Sequence, residues 1–486
     1  MSTLSVARAC AVLSLFIQIA CAQYEVPDVT IQVLKPKGFK ASIPADPQIG
    51  LFVFQGNINR GINSPDVGSI TGEVLQAKDG RWTFEDPNLV LKDGDVINYY
   101  VVVSTNRAGY IKDNLSYTRR GDPTAPDISN STSKPKPPVD CKPTVTRLRD
   151  GSVACAGQTV FEENFDTLKN DVWQIEHYIP VLSTDYPFVS YQRLSQEPTV
   201  YVTDGYLHIL PRLQQRLLGF NQDSIYSGTL NLFSGCTSTA NDCFKEAWGA
   251  NILPPIVSGK ITSKGFSFTY GTVTVRAKLP QGDWLYPEIL LEPFLKKYGN
   301  NHHSSGVIKI ASARGNSELY SGTTDYSNKV LFGGPIIDTQ CHDSLLNTKV
   351  LSDGRRWGDD FHEYAVRWAP DRITLTVDGQ EWARVQPAAS GLYGRFPQTC
   401  QQIPRILLSA GTKMAPFDDH FYLTLGMGAG SVTEFPDGVQ TTGGRPKPWT
   451  NPSSKALLNF WQDMDAWYST WNQPELVVDY VKVVAL

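Results

Sequence analysis

The sequence predicts an all-β protein built as two antiparallel sandwiches, one small and one large. Three observations carry this. Short runs rich in β-branched and aromatic residues recur along the chain, separated by Gly- and Asp-containing turns. Where a run is long enough to show a period, the period is two. Tyr270-Gly271-Thr272-Val273-Thr274-Val275-Arg276-Ala277-Lys278 alternates small or apolar residues with polar ones, as a sheet with one covered face does. Helical periodicity is scarce, residues 454–471 being the best candidate.

Taken in order, the chain opens with Arg8 and a mainly apolar run to Ala20, ending in Ala20-Cys21-Ala22. That is the pattern of a secretory leader over residues 1–22, cleaved before Gln23. No later run reaches the length of about 18 apolar residues that a membrane span needs, so no membrane span is expected. Residues 23–120 hold Ile31-Gln32-Val33-Leu34, Leu51-Phe52-Val53-Phe54 and Ile97-Asn98-Tyr99-Tyr100-Val101-Val102-Val103. Lys37-Gly38, Lys78-Asp79-Gly80 and Lys92-Asp93-Gly94-Asp95 supply turns, which together suggest a small sandwich. Residues 121–140 are rich in Pro and Ser with no apolar period, an extended spacer. Residues 141–486 are again β-rich: Arg372-Ile373-Thr374-Leu375-Thr376-Val377 alternates and turns at Asp378-Gly379. The C-terminal stretch Asp479–Leu486 reads as a last strand. A large sandwich of this kind offers a concave sheet as a groove.

Of the eight cysteines, Cys10 and Cys21 fall in the leader, leaving Cys141, Cys155, Cys236, Cys243, Cys341 and Cys400. An even set in a secreted chain suggests disulfides. Short loops favour Cys141–Cys155 and Cys236–Cys243, leaving Cys341–Cys400, although other pairings are open. A zinc site would need Cys-x2-Cys or a helical His pair, and neither occurs. No motif implies a metal or an organic cofactor. Sequons stand at Asn114-Leu115-Ser116 and Asn130-Ser131-Thr132. Loss of Arg8 with the leader takes the formal charge from −4 to −5, which argues against a nucleic-acid partner.

A series of motifs in residues 141–486 narrows the reading. In order they are Phe161-Glu162-Glu163-Asn164-Phe165-Asp166, Asp204-Gly205-Tyr206-Leu207, Arg276-Ala277-Lys278-Leu279-Pro280 with Trp284-Leu285-Tyr286-Pro287, Phe361-His362-Glu363-Tyr364 with Trp368, and Pro416-Phe417-Asp418. This series resembles the laminarinase-type β-1,3-glucanases, a family of retaining glycoside hydrolases. The N-terminal set Tyr24-Glu25-Val26-Pro27, Pro36-Lys37-Gly38-Phe39, Phe52-Val53-Phe54-Gln55-Gly56 and Lys78-Asp79-Gly80-Arg81-Trp82 is similar to the glucan-binding module of insect β-1,3-glucan recognition proteins, also called Gram-negative bacteria-binding proteins. The resemblance implies an immunoglobulin-like sandwich followed by a concanavalin-like jelly roll.

It also implies where chemistry should sit. The enzymes carry Glu-Ile-Asp-Ile-x-Glu, and this chain has Val307-Ile308-Lys309-Ile310-Ala311-Ser312. The nucleophile position becomes Val307, the assisting aspartate Lys309 and the acid/base Ser312. Retaining hydrolysis needs two carboxyl groups about 5–5.5 Å apart, and none of these three residues supplies one. Glu288 and Glu292 are the carboxylates to test as replacements, and Trp284 and Tyr286 the rings that could stack on a sugar. His302-His303 reads as a solvated loop and His362 as a satisfied structural histidine.

In the module, Ser69-Ile70 and Phe84-Glu85-Asp86-Pro87 replace an aromatic plate and a Phe-Arg-Asp-Arg segment of glucan-gripping relatives. Asp46, Arg81, Trp82 and Tyr110 remain as candidate ligand contacts.

The expected function is therefore a secreted haemolymph recognition protein for microbial cell-wall polysaccharide, β-1,3-glucan or peptidoglycan, without hydrolysis. The resemblance implies that it works with other immune recognition proteins and a serine protease in a cascade to Toll signalling or melanisation. An adaptor with little direct sugar binding is the alternative, and an active β-1,3-glucanase the third.

Overall fold

The computed structural model describes residues 26–119 and 141–486, apart from 35–36, 63, 65–67, 106–108, 150–151 and 300–301. The expected leader (1–22), the spacer (121–140) and the Asn130 sequon lie outside the described residues. The chain divides into two compact units, Met1–Thr132 and Ser133–Leu486.

The first unit is a two-sheet sandwich. One sheet has the order Thr30–Val33, Phe39–Pro44, Arg81–Asp86, and the other Ile70–Val74, Ile49–Ile58, Val96–Thr105, Gly109–Thr118. All pairings are antiparallel. Lys78-Asp79-Gly80-Arg81 makes the tight turn its composition suggests. Asp79 and Gly80 both have positive φ, 50° and 75°, the two-residue turn that suits the twist of a hairpin. Between the sheets, Phe54 stacks on Phe84 and on Tyr99 with centroids 5.4 and 5.1 Å apart. Phe39, Phe52, Trp82 and Val101 complete this core.

The second unit is a jelly-roll sandwich. An eight-stranded sheet runs Val200–Thr203, Tyr206–Ile209, Leu476–Val484, Gly271–Lys278, His362–Ala369, Arg372–Val377, Gln380–Val385, with Thr159–Glu163 also on Leu476–Val484. The facing nine-stranded sheet runs Gln174–Ile175, Lys260–Thr262, Phe421–Ala429, Leu285–Pro293, Val307–Ser312, Val330–Ile336, Asn347–Val350, with two short strands at one end. The alternation in Gly271–Lys278 is realised as strict burial of Val273, Val275 and Ala277. Asp378-Gly379 turns with φ of 50° and 74°. Residues 454–471 form two short helices, Ala456–Gln462 and Met464–Tyr468, instead of one. Asp463, at φ −94° and ψ 13°, ends the first, and its residues Leu457, Phe460 and Trp461 plug the core.

Disulfides join Cys141 to Cys155, Cys236 to Cys243 and Cys341 to Cys400. Among the described residues no helix is long and apolar enough to cross a membrane.

Candidate functional site

The strand Val307–Ser312 lies between Leu285–Pro293 and Val330–Ile336. Val307 and Lys309 pair with Ile336 and Gly334; the register then slips, and Ser312 opposes Phe332. One extra residue has entered the strand, a β-bulge. Residues paired across strands share a face and a strand alternates faces with period two. Gly334 and Phe332 are on one face, so Lys309 and Ser312 are too, together with Val307. A regular strand would have turned Ser312 away from Val307 and Lys309. The bulge thus brings the three positions together.

The residues at those positions are closed off. Val307 and Lys309 line a pocket of about 120 Å³ with Tyr286, Glu288, Lys260 and Glu434 among its other walls. That is small beside the roughly 300–1,000 Å³ of a small-molecule site, and the reason is that charged side chains fill it. Lys309 Nζ lies 2.7 Å from Glu434 Oε2, both side chains being buried, and 4.8 Å from the Phe332 ring centroid. Ser312 is wholly buried, its Oγ donating to the Pro287 carbonyl at 3.3 Å.

The remaining carboxylates are also engaged. Glu288 Oε2 accepts from the Tyr191 hydroxyl at 2.9 Å and lies 3.4 Å from Lys260 Nζ. Burial raises the Glu288 carboxyl above its ordinary range against the pull of Lys260. Burial opposes the charge on Lys260, but Glu288 together with Tyr178, Tyr191 and Glu292 outweighs it and holds the ammonium protonated. Glu292 accepts from the Thr424 hydroxyl. Glycine makes this floor possible. Gly426 stands opposite both Lys260 and Glu288, and a Cβ there would lie 2.5 Å from Glu288 Oε2. At Gly428 a Cβ would meet the Tyr286 ring at 2.1 Å.

His303 corrects the solvated-loop reading. It lines the pocket, its side chain 16% exposed, with Nε2 3.1 Å from Asp185 Oδ2. Asp185 also accepts from the Thr433 hydroxyl at 2.8 Å, tying three loops together. Burial alone would raise Asp185, but the charge and hydrogen bond of His303 outweigh it and leave the carboxyl well below its usual range. Burial would lower His303, and Asp185 instead leaves it raised. The aspartate's contribution to stability is complete above about pH 4 and is lost as pH falls through its depressed value. The histidine's is complete below about pH 6.5 and is lost as pH rises through its raised value. Stability should therefore decline on the alkaline side of neutrality. His303→Gln should flatten that decline, as measured by thermal unfolding across pH 6 to 9.

The other candidates are placed as follows. Trp284 is 1% exposed and boxed edge-on by Phe435 and Trp449 at 5.3 and 5.0 Å. It is core and offers no face to a sugar, which corrects that expectation. Tyr286, two residues on, lines the pocket. His362 Nδ1 is 2.7 Å from Asp378 Oδ2, a structural contact.

In the module, Arg81 Nε reaches Ser42 Oγ at 2.9 Å, and its Nη2 reaches Thr30 Oγ1 at 2.9 Å and the Ser42 carbonyl at 3.2 Å. It laces three strands together. Arg81→Ala should cost about 1–3 kcal/mol, seen as faster hydrogen exchange in the strand Arg81–Asp86 of the intact protein. Trp82 is 5% exposed in the module core, which corrects its reading as a ligand plate. Asp46 shapes a turn by accepting from the Gln48 amide at 2.9 Å. It lies near Arg81, since Ala45 N bonds Gly80 O at 2.9 Å. Tyr110 sits on the other sheet, half-buried and paired with Val103. The four are therefore not gathered into one site. Asn114 is exposed on the edge strand Gly109–Thr118.

Sequence reasoning missed Lys260, Asp185 and Glu434. The first stands on a three-residue strand, too short to show a period. The other two are loop residues whose partners are more than 100 positions away.

Comparison with known proteins agrees with this architecture. A carbohydrate-binding-domain model (family 32) matches residues 25–139, and a model of glycosyl hydrolases family 16 matches residues 344–420. The chain is 70% identical over 480 residues to a β-1,3-glucan-binding protein of Hyphantria cunea, covering 99% of this chain and 100% of that one. It is 36% identical over 508 residues to β-1,3-glucan-binding protein 1 of Galleria mellonella, covering 98% of each. Gram-negative bacteria-binding protein 3 of Drosophila melanogaster is 32% identical over 505 residues, covering 99% of each. Identity of this order along the whole length places the chain in the family of β-1,3-glucan-binding and Gram-negative bacteria-binding proteins.

Proposed function

We propose that this is a secreted recognition protein that holds microbial cell-wall polysaccharide without cleaving it and passes the event to a serine-protease cascade. One observation carries the non-hydrolytic part. The bulged strand sets Val307, Lys309 and Ser312 on one face, where a retaining glycosidase needs a carboxylate pair. Valine cannot attack an anomeric carbon, and Lys309 places a cation where positive charge would develop. The carboxylates Glu288, Glu292, Glu434 and Asp185 are each held by a cation or a hydroxyl. The names of the relatives support glucan or bacterial surface as the ligand class. The three disulfides suit an oxidising compartment, where the exposed Asn114 sequon would carry a glycan.

A second reading, an adaptor with little sugar affinity, draws on the module. There Arg81 and Trp82 are consumed by internal contacts. Pull-down of the purified protein on curdlan, fungal wall, and Gram-positive and Gram-negative peptidoglycan separates the two. Retention on one wall supports the recognition protein and names its target. Retention on none leaves the adaptor.

A further inference from the structure

Outside the pocket, the larger unit carries an exposed aromatic face on a two-stranded ribbon. Thr229–Asn231 pairs antiparallel with Phe244–Glu246, Thr229 opposite Glu246 and Asn231 opposite Phe244. Further backbone bonds, Leu232 N to Cys243 O at 2.7 Å and Ala247 N to Gly228 O at 2.9 Å, extend the ribbon at both ends. The Cys236–Cys243 disulfide closes its turn. Strand alternation sorts its side chains. Leu230, Leu232 and Ala247 point inward to a small core with Ile179 and Leu253. The opposite set, Asn231, Phe233, Phe244, Glu246 and Trp248, is exposed.

The composition of that outward face is unusual. Trp248 is 72% exposed, Phe233 54% and Phe244 41%, and the two phenylalanine rings stack with centroids 6.1 Å apart. Large aromatics left in water cost free energy and mark interaction sites when they cluster. Here they alternate with Thr229, Asn231 and Glu246, so flat apolar plates stand beside hydroxyl, amide and carboxylate groups. That combination suits a pyranose, which shows an apolar C–H face and a rim of hydroxyls.

Position supports the same occupant. The segment 180–187 is shared: Pro180, Ser183 and Asp185 line the pocket beside Val307, while Val181 and Tyr186 line a second depression with Phe244, Lys245 and Glu246. A polymer lying over the pocket and crossing this segment would run onto the ribbon.

We propose that the ribbon Thr229–Trp248 is a second polysaccharide-binding surface, taking a β-linked glucan by stacking on Trp248 and the Phe233–Phe244 pair. This rests on the proposed polysaccharide-binding function and takes the face around the pocket beside Val307 as the adjoining contact. It assigns the glucan contact to a face that the glycosidase resemblance does not use.

Hydrogen-exchange mass spectrometry on the intact protein, with and without laminarihexaose, tests it and localises the contact. The expected result is protection of peptides from 228–248 as well as of Leu285–Pro293. Trp248→Ala should erase the ribbon protection and weaken binding about tenfold, with an unchanged melting temperature because the ring is exposed. Phe233→Ala with Phe244→Ala should act likewise, and Glu246→Ala more weakly. Protection of Leu285–Pro293 without the ribbon would overturn this proposal and leave the groove reading standing. Ribbon protection unaltered by these variants would also overturn it. Protection in neither place would overturn both.

Discussion

Lys309→Met lowers the stability of the larger domain by about 3–5 kcal/mol. The substitution removes the cation 2.7 Å from Glu434 and leaves a buried carboxylate without its hydrogen-bonded counter-charge. Arg314 is the other cation nearby, its Nε donating to the Glu434 carbonyl at 2.7 Å, but the second carboxylate oxygen, Oε1, is buried with no hydrogen-bond partner among the described residues. The double variant Lys309→Met with Glu434→Met should recover most of the loss, because paired buried charges can be replaced by apolar side chains at little net cost. Ten of the eleven tryptophans lie in residues 141–486, so fluorescence-detected denaturation follows this domain. A single variant that melts like the native protein would mean the pair contributes nothing. The pocket would then be an open cleft with two mobile charges.

Trp284→Ala should be as damaging, by about 3–5 kcal/mol. Its ring meets Phe435 and Trp449 edge-on, and Trp449 in turn packs on Phe188 and Phe460. The cavity would open at the junction of the sheet with the helix Ala456–Gln462. Tyr286→Ala, only two residues away, should cost less and should instead alter what the pocket admits. Denaturation and glucan pull-down on both variants distinguish these outcomes. A native-like Trp284→Ala protein that no longer binds glucan would reverse the assignment and make Trp284 a ligand plate.

Those two neighbours show how far the sequence could be read. Alternation in Gly271–Lys278 and the Asp-Gly turn at 378–379 are local properties, and they specified strands and a hairpin without help from the rest of the chain. The order of motifs from Phe161 to Asp418 implied the jelly roll, and within it the positions 307, 309 and 312. Trp284 and Tyr286 look alike in sequence, both being aromatic and near the same strand. Both rings meet Phe435; what separates them is a positive φ of 66° at Trp284 and its further partner Trp449, far downstream. Neither can be inferred from spacing. His303 is a similar case. A histidine pair among polar residues reads as solvent-facing until Asp185, 118 residues earlier, is brought to it by the fold. The helical candidate 454–471 is helical in two pieces for a local reason, the break at Asp463.

The pocket is strongly polar although positions 307, 309 and 312 hold no carboxylate. Lys309 puts a cation on this face, and the loop bearing Glu434 supplies the compensating charge. The same face carries the bulge and the glycine floor. Of the acids lining the pocket, Glu288 most resembles a proton donor, since burial raises its carboxyl.

The most direct test is therefore incubation of the purified protein with curdlan and laminarihexaose, following bound protein and new reducing ends in the same samples. The account predicts retention on the polysaccharide with no reducing ends beyond a protein-free control. Release of sugar that disappears in Glu288→Gln would contradict it, and would make Glu288 an acid in a working glycosidase.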